Sequence, residues 1–370
     1  MIYDFLVIGG GIAGASAAYE LSAHGTVVLL EAEDRAGYHA TGRSAALFTR
    51  NFGGAVVRGI TAHTADFFRS PPAGFCDTPL LTPRGGLTVA QAGDAGDLDA
   101  LLAMSQPGEE VEEISAQDAC VMVPFLRPER VVRAVYEANV TDIDVATLHL
   151  SYLKGAKARG AVILTKQSVA ALSAVAGVWQ ADTPTDRFRG MLVINAAGAW
   201  ADHIGQMAGA RAIGLVPKRR TAILVKPPED TDCAALPAVD FAGTDAYLKP
   251  ESGMIMASPG DATPVDPHDA WADDMDIAVL ADWIGQETLI EVTKIEHSWA
   301  GLRSFVADDA PVVGFDPDLP GFFWLAGQGG YGIMLAPALA MLAADLVAQG
   351  ASRSGIGAFA DALSPARLRC

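Results

Sequence analysis

The chain has 370 residues, 51% of them hydrophobic, and its 26 Lys and Arg against 44 Asp and Glu give a formal net charge of −18. This is about twice the length of an average domain, so we expect one large domain with insertions or two interleaved domains. The negative charge disfavours nucleic acids and anionic membranes as partners, because both would be repelled. No uncharged run reaches the ~18–20 residues that a membrane helix needs.

The N-terminal stretch MIYDFLVIGGG carries an acid, Asp4, and no basic region, so it is interpreted as a first strand and not as a signal peptide. The cysteines are far apart and form no CxxC pair, which argues against a disulfide framework, a zinc site or a redox dithiol. They are Cys76, Cys120, Cys233 and Cys370. We therefore expect a cytoplasmic protein with no metal.

A nucleotide-binding pattern follows the first strand. Gly9, Gly11 and Gly14 have GxGxxG spacing, and an alanine-rich helix and a second apolar strand lead to Glu31. In this pattern the first glycine makes the turn, the second lets backbone amides approach a pyrophosphate, and the third allows close helix packing. The helix N-terminus favours phosphate, and Glu31 is placed to bind ribose hydroxyls. The pattern alone does not separate FAD from NAD.

The next segment, AEDRAGYHATGRSAALF, favours FAD. It is a long irregular crossing with hinges at Gly37 and Gly42, and its small residues suit close backbone contact with a large ligand. We expect Ser44 to cap a helical piece whose first amides face a phosphate or a flavin edge. The alternative is a solvated loop.

Two later junctions between a strand and a helix are also rich in glycine and alanine. They are MLVINAAGAWADHIG, with Ala197 and Gly198, and GFFWLAGQGGYGI, with Gly327, Gly329, Gly330 and Gly332. Bare amides at such junctions create places where negative charge is stabilised. Together, the three junctions predict one long cofactor lying across one domain.

The remaining periodicities predict further elements. They are a helix over 55–69, a strand pair in PLLTPRGGLTVA, helices in DLDALLAMS and SAQDACVMVP, a helix ended by Gly160 and followed by a strand, hairpin strands over 178–195, strands in KRRTAILV and AYLKPESGMIMAS with a turn at 251–253, a surface loop over 259–276, and a last helix ending near Gly350.

These motifs carry a family resemblance. The GxGxxG unit, GYHATGRSAA, NAAGAW and GQGGYGI resemble the flavin-dependent amine oxidoreductases of the D-amino-acid oxidase, glycine oxidase and sarcosine oxidase type. YHATGRSAALFT, SPPAGFCDTPLLTPR, PKRRTA, YLKPESGM and HSWAGLRSFVAD are similar to the bacterial D-arginine dehydrogenases, which act broadly on D-amino acids. The resemblance extends over nearly the whole chain.

The resemblance implies an α/β fold with a discontinuous Rossmann-like FAD-binding domain and an interleaved antiparallel β-sheet substrate domain. The FAD-binding domain would comprise residues 1–80, 143–214 and 301–370, and the substrate domain residues 81–142 and 215–300. The residues expected to contact FAD are Gly9, Gly11, Ile12, Ala13, Gly14, Glu31, Ala32, Thr41, Gly42, Arg43, Ser44, Ala45, Ala46, Val169, Ala197, Gly198, Trp200, Gly329, Gly330, Tyr331, Gly332 and Ile333.

His39 has three interpretations: a polar loop residue near the cofactor, a general base, or a covalent flavin anchor. The resemblance favours noncovalent FAD. The histidines outside this loop, apart from His297, are interpreted as surface or core residues.

Oxidation of an amino acid moves a hydride from Cα to flavin N5 and leaves an imino acid that water hydrolyses, so the protein must hold the substrate over the flavin. A carboxylate clamp is therefore expected. Arg303, in an apolar setting, and Arg220, at the start of a strand, are the candidates. The alternatives are an internal salt bridge for Arg303 and a solvated basic patch for Arg220. The resemblance places both on the substrate carboxylate, with Tyr247 donating from its phenol and the Gly330 carbonyl receiving the amine.

The substrate pocket departs from the D-arginine dehydrogenases. It is expected to include Leu47, Thr49, Phe52, Gly86 and Met334. Gly86 stands where those enzymes have an acid, and Leu47, Phe52 and Met334 each replace a more polar residue. We therefore expect a preference for neutral, apolar D-amino acids.

Three alternatives remain open at this point. The substrate could be a secondary amine of the glycine or sarcosine type or a 2-hydroxy acid, since both present a carboxylate beside a hydride-bearing carbon. The chain could also be the flavin-carrying subunit of a multi-chain complex. The electron acceptor, a quinone, another carrier or O2, depends on access to the flavin face, which the sequence does not encode.

Overall fold

The computed structural model describes residues 1–106, 108–349 and 355–369. Its strands, β1 to β20 in chain order, are Tyr3–Ile8, Val27–Leu30, Leu47–Phe48, Leu81–Pro83, Gly86–Ala90, Glu112–Ile114, Arg133–Glu137, Thr141–Ile143, Val162–Leu164, Ala171–Val175, Val178–Asp182, Arg187–Asn195, Val216–Val225, Ala238–Phe241, Tyr247–Glu251, Met254–Ser258, Thr263–Pro264, His297–Phe305, Val312–Phe315 and Phe322–Ala326. Its α-helices, α1 to α9, are Ile12–Leu21, Ala55–Arg69, Asp97–Leu102, Ala116–Met122, Val145–Ala158, Ala201–Ala208, Asp274–Glu287, Gly332–Gln349 and Ala360–Leu363. Short 3-10 helices span Pro128–Arg130, Gly198–Trp200, Gly355–Phe359 and Pro365–Leu368.

The first sheet has eight strands in the order β10-β11-β12-β1-β2-β9, with β20 also beside β12 and β19 beside β20. β1 is parallel to β2 and β12, and its last residue, Ile8, lies opposite Leu30 and Asn195. β20 is also parallel to β12. The carboxyl ends of β1, β2, β12 and β20 therefore meet at one edge, where open α/β sheets bind their ligands.

Helices α1, α5 and α8 cover one face of this sheet and share a large apolar core with β1 and β2. All four residues of β2 are buried, as parallel strands covered on both faces require. The opposite face packs against α6, and the almost fully buried Trp179 of β11 and Trp324 of β20 lie in that second core. Burial on both faces fixes the strands and hence the turns that follow them.

The second sheet has nine strands in the order β17-β13-β16-β15-β14-β5-β7-β6, with β18 beside β13. β13 and β18 are antiparallel over a long register that runs from Val216 opposite Phe305 to Leu224 opposite His297. One face of the sheet packs on α4 and α7 through residues such as Leu87. Because side chains alternate along a strand, the polar residues of these strands lie on the other face.

Several predicted elements are confirmed. The helix over 55–69 is α2, the helix ended by Gly160 is α5 and is followed by β9, and the hairpin strands over 178–195 are β11 and β12. The turn at 251–253 joins the antiparallel strands β15 and β16. The α/β fold class is confirmed as well.

Two local predictions are wrong. PLLTPRGGLTVA forms two strands that do not pair with each other: β4 pairs with β8, whereas β5 pairs with β7 and β14. Between them Gly85, with φ of 77°, redirects the chain. Ser44 caps no helix, because residues 44–46 lack regular structure and lead into β3. The Ala46 carbonyl accepts a hydrogen bond from the Ile143 amide beside β3, so the backbone is committed to pairing with β8.

The division into two domains stays a prediction. The second sheet takes its strands from residues 86–137 and 216–305. β18 crosses the boundary that we expected between residues 300 and 301, because its pairing with β13 continues to Phe305. The second sheet therefore ends with β18 at Phe305, and not between residues 300 and 301.

Among the described residues, Cys76, Cys120 and Cys233 are free thiols, and Cys370 lies outside them. Gly350, the predicted end of the last helix, lies outside them too. No helix within the described ranges combines the length and the apolar character needed to cross a membrane.

The last described residue is tied to the first sheet by an ion pair with a buried partner. Arg369 Nη2 lies 2.5 Å from Asp316 Oδ2, whose side chain is 0% exposed, and Trp324 Nε1 donates to the same oxygen at 2.9 Å. Arg369→Met should lower the free energy of unfolding by about 3 kcal/mol, because it leaves a buried carboxylate without its cation. Chemical denaturation measures this change. Arg187→Met, which breaks an exposed pair with Asp182, is the control and should change stability little.

Candidate active site

A cavity of about 470 Å³ lies at the carboxyl ends of β1, β2 and β12 and extends to β13, β15 and β18 of the second sheet. Its volume is within the range of about 300–1,000 Å³ that is usual for small-molecule and cofactor sites. Its walls come from the turns after β1, β12 and β20 and from the crossing segment after β2. Both sheets therefore contribute to one site.

The turn after β1 is held by close backbone contacts that only glycine allows. Gly9 has φ of 103°, and a Cβ on it would lie 2.4 Å from the Ala196 oxygen. A Cβ on Gly14 would lie 1.9 Å from the Gly9 oxygen. α1 therefore begins at the cavity wall, and the Ile12 amide there donates to Thr41 Oγ1 at 2.9 Å. Such a helix N-terminus favours an anion such as a pyrophosphate.

Glu31 joins the turn after β1 to the crossing segment. Its side chain accepts hydrogen bonds from the amides of Gly10, at 2.7 Å, and Glu33, at 2.9 Å, and the residue is 8% exposed. Each carboxylate oxygen keeps a further lone pair for a ligand hydroxyl. The position in the cavity wall is the one that the sequence predicted for binding ribose.

His149, which sequence reasoning treated as a surface or core residue, supports the same turn. Its Nε2 lies 2.8 Å from the Gly10 carbonyl oxygen, to which it donates. Burial lowers the pKa of the His149 imidazole. His203 and His268, treated in the same way, line the cavity. No local pattern marks His149, because 139 residues separate it from Gly10.

Arg43 ties the crossing segment to the second sheet. Its guanidinium donates to the carbonyls of Ala270, at 2.7 Å, and Ala300, at 3.0 Å, and forms an ion pair with Asp269. The Arg43 carbonyl accepts a hydrogen bond from Trp299 Nε1 at 3.1 Å. Arg43 lines the cavity as predicted, but its partner Asp269 was not foreseen.

His39 also lines the cavity. Its Nε2 lies 2.9 Å from Glu33 Oε1, and its ring centroid lies 4.7 Å from that of Trp200. These contacts are with neighbouring side chains, and the three interpretations of His39 stay predictions.

The turn after β20 packs directly on β18. The Gly329 amide donates to the Ser304 oxygen at 2.9 Å, and a Cβ on Gly329 would lie 2.3 Å from the Phe305 ring. A Cβ on Gly330 would lie 3.3 Å from Arg303 Nη1. The Gly330 backbone is therefore placed beside the Arg303 guanidinium.

Two cations face the cavity without an anion. Arg220, on β13, lies opposite Gly301 on β18, which has no side chain to cover it. Arg303 Nη2 lies 3.5 Å from the Tyr247 phenol oxygen. Within the described part of the chain neither guanidinium forms an ion pair, and Arg220 Nε is buried without a hydrogen-bond partner. Burial, and secondly the charge of Arg303, lower the pKa of Arg220. An anion bound here would therefore stabilise both cations.

The structure brings most of the predicted residues to the cavity. All four residues assigned to catalysis line it: Arg220, Tyr247, Arg303 and Gly330. The predicted FAD contacts that line it are Gly9, Gly11, Ile12, Ala13, Glu31, Ala32, Thr41, Arg43, Ser44, Ala45, Val169, Ala197, Gly198, Trp200, Gly329, Gly330, Gly332 and Ile333. Gly14, Gly42, Ala46 and Tyr331 do not line it. Gly14 and Gly42 instead make close backbone contacts behind the wall, with Gly9 and Gly37.

The residues predicted for the substrate side chain do not line this cavity. They are Leu47, Thr49, Phe52, Gly86 and Met334. Met334 is 3% exposed, because this first-turn residue of α8 faces the apolar core. Phe52 is 52% exposed and packs on Tyr331, with ring centroids 5.3 Å apart.

Near Thr49 and Gly86 of the predicted substrate pocket lies an acid that the sequence analysis did not identify. Gly86 on β5 is paired with Glu137 on β7. The Thr49 hydroxyl donates to Glu137 Oε2 at 3.3 Å. A carboxylate therefore lies beside position 86, on the neighbouring strand.

Comparison with known proteins identifies relatives over most of the chain. The family DAO, FAD dependent oxidoreductase, matches residues 4–346. The chain is 26% identical over 242 residues to glycine oxidase of Geobacillus kaustophilus (strain HTA426), covering 65% of this chain and 62% of that protein. It is 26% identical over 359 residues to the mitochondrial sarcosine dehydrogenase of Homo sapiens, covering 90% of this chain and 38% of that protein. The matched region therefore spans less than two thirds of either relative.

The fold is also that of a solved structure, L-proline dehydrogenase from P.horikoshii. The TM-score is 0.83 at 20% identity, and the match covers 99% of this chain and 97% of the other. At this identity the likeness establishes the fold alone. The family match identifies FAD as the cofactor. The bare turn at Gly9, the N-terminus of α1 and the acid at Glu31 fit a dinucleotide.

Glu31→Gln should weaken FAD binding about tenfold. A glutamine offers one acceptor oxygen in place of two, so an amide or a ribose hydroxyl would lose its partner, at a cost of about 1–3 kcal/mol. Quenching of flavin fluorescence on titration of the apoprotein measures the dissociation constant. Glu229→Gln removes an exposed carboxylate and is the matched control. An unchanged dissociation constant in Glu31→Gln would show that this side chain does not bind the cofactor.

Proposed function

We propose that this chain, which belongs to the DAO family of FAD dependent oxidoreductases, oxidises free amino acids, and D-amino acids in particular. The observation that carries the proposal is the pair of guanidiniums, Arg220 and Arg303, that face the cavity without an anion beside the Tyr247 phenol. An amino acid supplies the missing carboxylate.

The clamp follows from electrostatics. Two guanidiniums on adjacent strands repel each other, and the charge of Arg303 contributes to the lowered pKa of Arg220. A carboxylate between them replaces this repulsion with charge-assisted hydrogen bonds, which are about twice as strong as neutral ones. The phenol of Tyr247 is placed to donate a further hydrogen bond to the same carboxylate.

The amine end of the substrate is assigned to the Gly330 carbonyl. Gly330 lies against Arg303, so a substrate held by its carboxylate brings its α-amine next to this backbone. A carbonyl accepts a hydrogen bond from a neutral amine and leaves the nitrogen lone pair free. When bound, FAD supplies the acceptor for the hydride that leaves Cα. The product is an imino acid, which water hydrolyses to a 2-oxo acid and ammonia.

The relatives support a substrate in which an amine lies beside a carboxylate. By their names, glycine oxidase and sarcosine dehydrogenase act on such compounds. They also favour a second candidate, oxidation of a secondary amine of the sarcosine type, which needs the same clamp. The preference for D-enantiomers rests on the resemblance of YHATGRSAALFT and HSWAGLRSFVAD to the D-arginine dehydrogenases.

Anaerobic bleaching of the flavin absorption tests the proposal. The holoprotein is mixed with matched D- and L-amino acids, with glycine and sarcosine, and with 2-hydroxy acids. We expect D-amino acids to bleach the flavin fastest, as the resemblance to the D-arginine dehydrogenases implies. Faster bleaching by sarcosine would select the second candidate. Bleaching by 2-hydroxy acids alone would contradict both.

Arg303→Met should retain FAD but lower kcat/KM roughly 30- to 5,000-fold. Removing one partner of a hydrogen-bonded charge pair costs about 2–5 kcal/mol, and each 1.36 kcal/mol changes a rate tenfold. Arg220→Met should show a smaller loss. Lys218→Met is the matched control, since Lys218 pairs with Arg303 in the sheet but does not line the cavity. Normal kinetics in Arg303→Met would make Arg303 a structural residue.

A further inference from the structure

We propose that Glu137 and Asp240 form a cation-binding subsite on the second sheet and select substrates whose side chain ends in an ammonium or guanidinium group. The inference rests on the proposed function and names its substrate class.

Strand alternation places Asp240 on the same face of the sheet as the clamp. On β14, Val239 and Phe241 lie in the apolar core under the sheet, so Asp240 lies on the opposite face. Asp240 is paired with Tyr247 on β15. Paired residues on one face have Cβ atoms about 4.5–5.5 Å apart. Since Tyr247 lies beside Arg303, the Asp240 carboxylate stands one strand away from the clamp.

Glu137 lies two strands from Asp240 on the same face. β5 separates their strands, and neighbouring strands are about 4.8 Å apart. Glu137 is paired with Gly86, which is in turn paired with Ala238 on β14. Neither Gly86 nor Ala238 has a side chain beyond Cβ. Val140 covers Gly86, since its Cγ2 would lie 2.9 Å from a Cβ there. A ligand group would therefore reach the two carboxylates over Ala238, from the side of Tyr247.

Neither of the two carboxylates has a positively charged partner among the described residues. Glu137 Oε2 accepts from Asn51 Nδ2 at 2.7 Å and from the Thr49 hydroxyl at 3.3 Å. Asn51 is 7% exposed, and its Oδ1 has no hydrogen-bond partner within the described part of the chain. The Asp240 side chain has no hydrogen bond or ion pair to any described residue. A group with several N–H donors and a positive charge would satisfy all three side chains.

A neighbouring acid shows the usual arrangement. Asp142, on β8, lies 2.9 Å from Lys249 Nζ and 2.6 Å from Arg84 Nη2. Asp240 and Glu137 are also carboxylates on nearby strands, yet neither forms an ion pair with a lysine or arginine of the described residues. Burial raises the pKa of Glu137. The surrounding protein, followed by the charge of Glu137, raises the pKa of Asp240 to about 7. Asp240 nevertheless remains open to solvent, and therefore to a ligand.

The subsite reverses the side-chain preference expected from the sequence. That expectation rested on Gly86, which lacks the acid of the D-arginine dehydrogenases. Here the acids come from the two strands that pair with β5, one on each side. A cationic side chain extending past Tyr247 would lie between them and gain the charge partners that an apolar pocket lacks.

The test compares each cationic substrate with a neutral one of the same shape. D-arginine is paired with D-citrulline and D-lysine with D-norleucine, and kcat/KM is measured for the holoenzyme. We expect each cationic member to be preferred at least about tenfold. Asp240→Asn and Glu137→Gln should each reduce that ratio about ten- to hundredfold, with kcat/KM for the neutral member changed less than about twofold.

Glu112→Gln, on the exposed β6 of the same sheet, changes the net charge equally and should leave the ratio unchanged. FAD content of each variant confirms an intact cofactor site. Equal turnover of both members of each pair, or a ratio unaffected in Asp240→Asn and Glu137→Gln, would overturn the subsite while the proposed function stands. If no amino acid is oxidised, binding is measured instead, from the shift that a bound ligand causes in the flavin absorption spectrum. A cationic preference there supports the subsite without the reaction, and no shift with any pair overturns both.

Discussion

The contact between α1 and the turn after β1 sets the position of the rest of the site. A Cβ on Gly14 would lie 1.9 Å from the Gly9 oxygen, and one on Gly9 would lie 2.4 Å from the Ala196 oxygen. Because both residues are glycines and have no Cβ, α1 and the turns after β1 and β12 pack as one layer. Glu31 and His149 then bind this layer from β2 and α5. A bulkier residue at either glycine would separate the layer and disrupt this wall of the cavity.

The arginines that line the cavity divide into those with an ion pair to a described residue and those without one. Arg43 is an example of the first kind, with an ion pair and two carbonyl acceptors. Arg220 and Arg303 belong to the second kind although the chain has a net charge of −18. Partly buried charges without partners are costly, and a bound ligand of opposite charge would remove that cost. The exposed Asp240 carboxylate also lacks an ion-pair partner among the described residues.

The sequence predicted those parts of the site that depend on neighbouring residues. The β1–α1–β2 unit is local, since a glycine spacing and an acid about twenty residues later define it, and the structure brings Gly9 and Glu31 together as expected. The contacts of Arg43 with Asp269 and of Gly86 with Glu137 depend on the order of strands and on long connections. Such an order arises from tertiary packing, which no periodicity records. The missing helix after Ser44 has the same origin, because pairing with β8 overrides local capping preference.

The long register between β13 and β18 has a consequence for how the clamp can vary. Arg220 and Arg303 belong to an unbroken ladder from Val216 opposite Phe305 to Leu224 opposite His297. A slip by one residue would turn every side chain of the strand to the other face. Neither arginine can therefore move by a small adjustment of the backbone, and the spacing of the two cations is as rigid as the sheet itself. Changes in the shape of the cavity must then arise elsewhere, in the loops and in the strands beyond Tyr247, while the spacing of the two guanidiniums is kept.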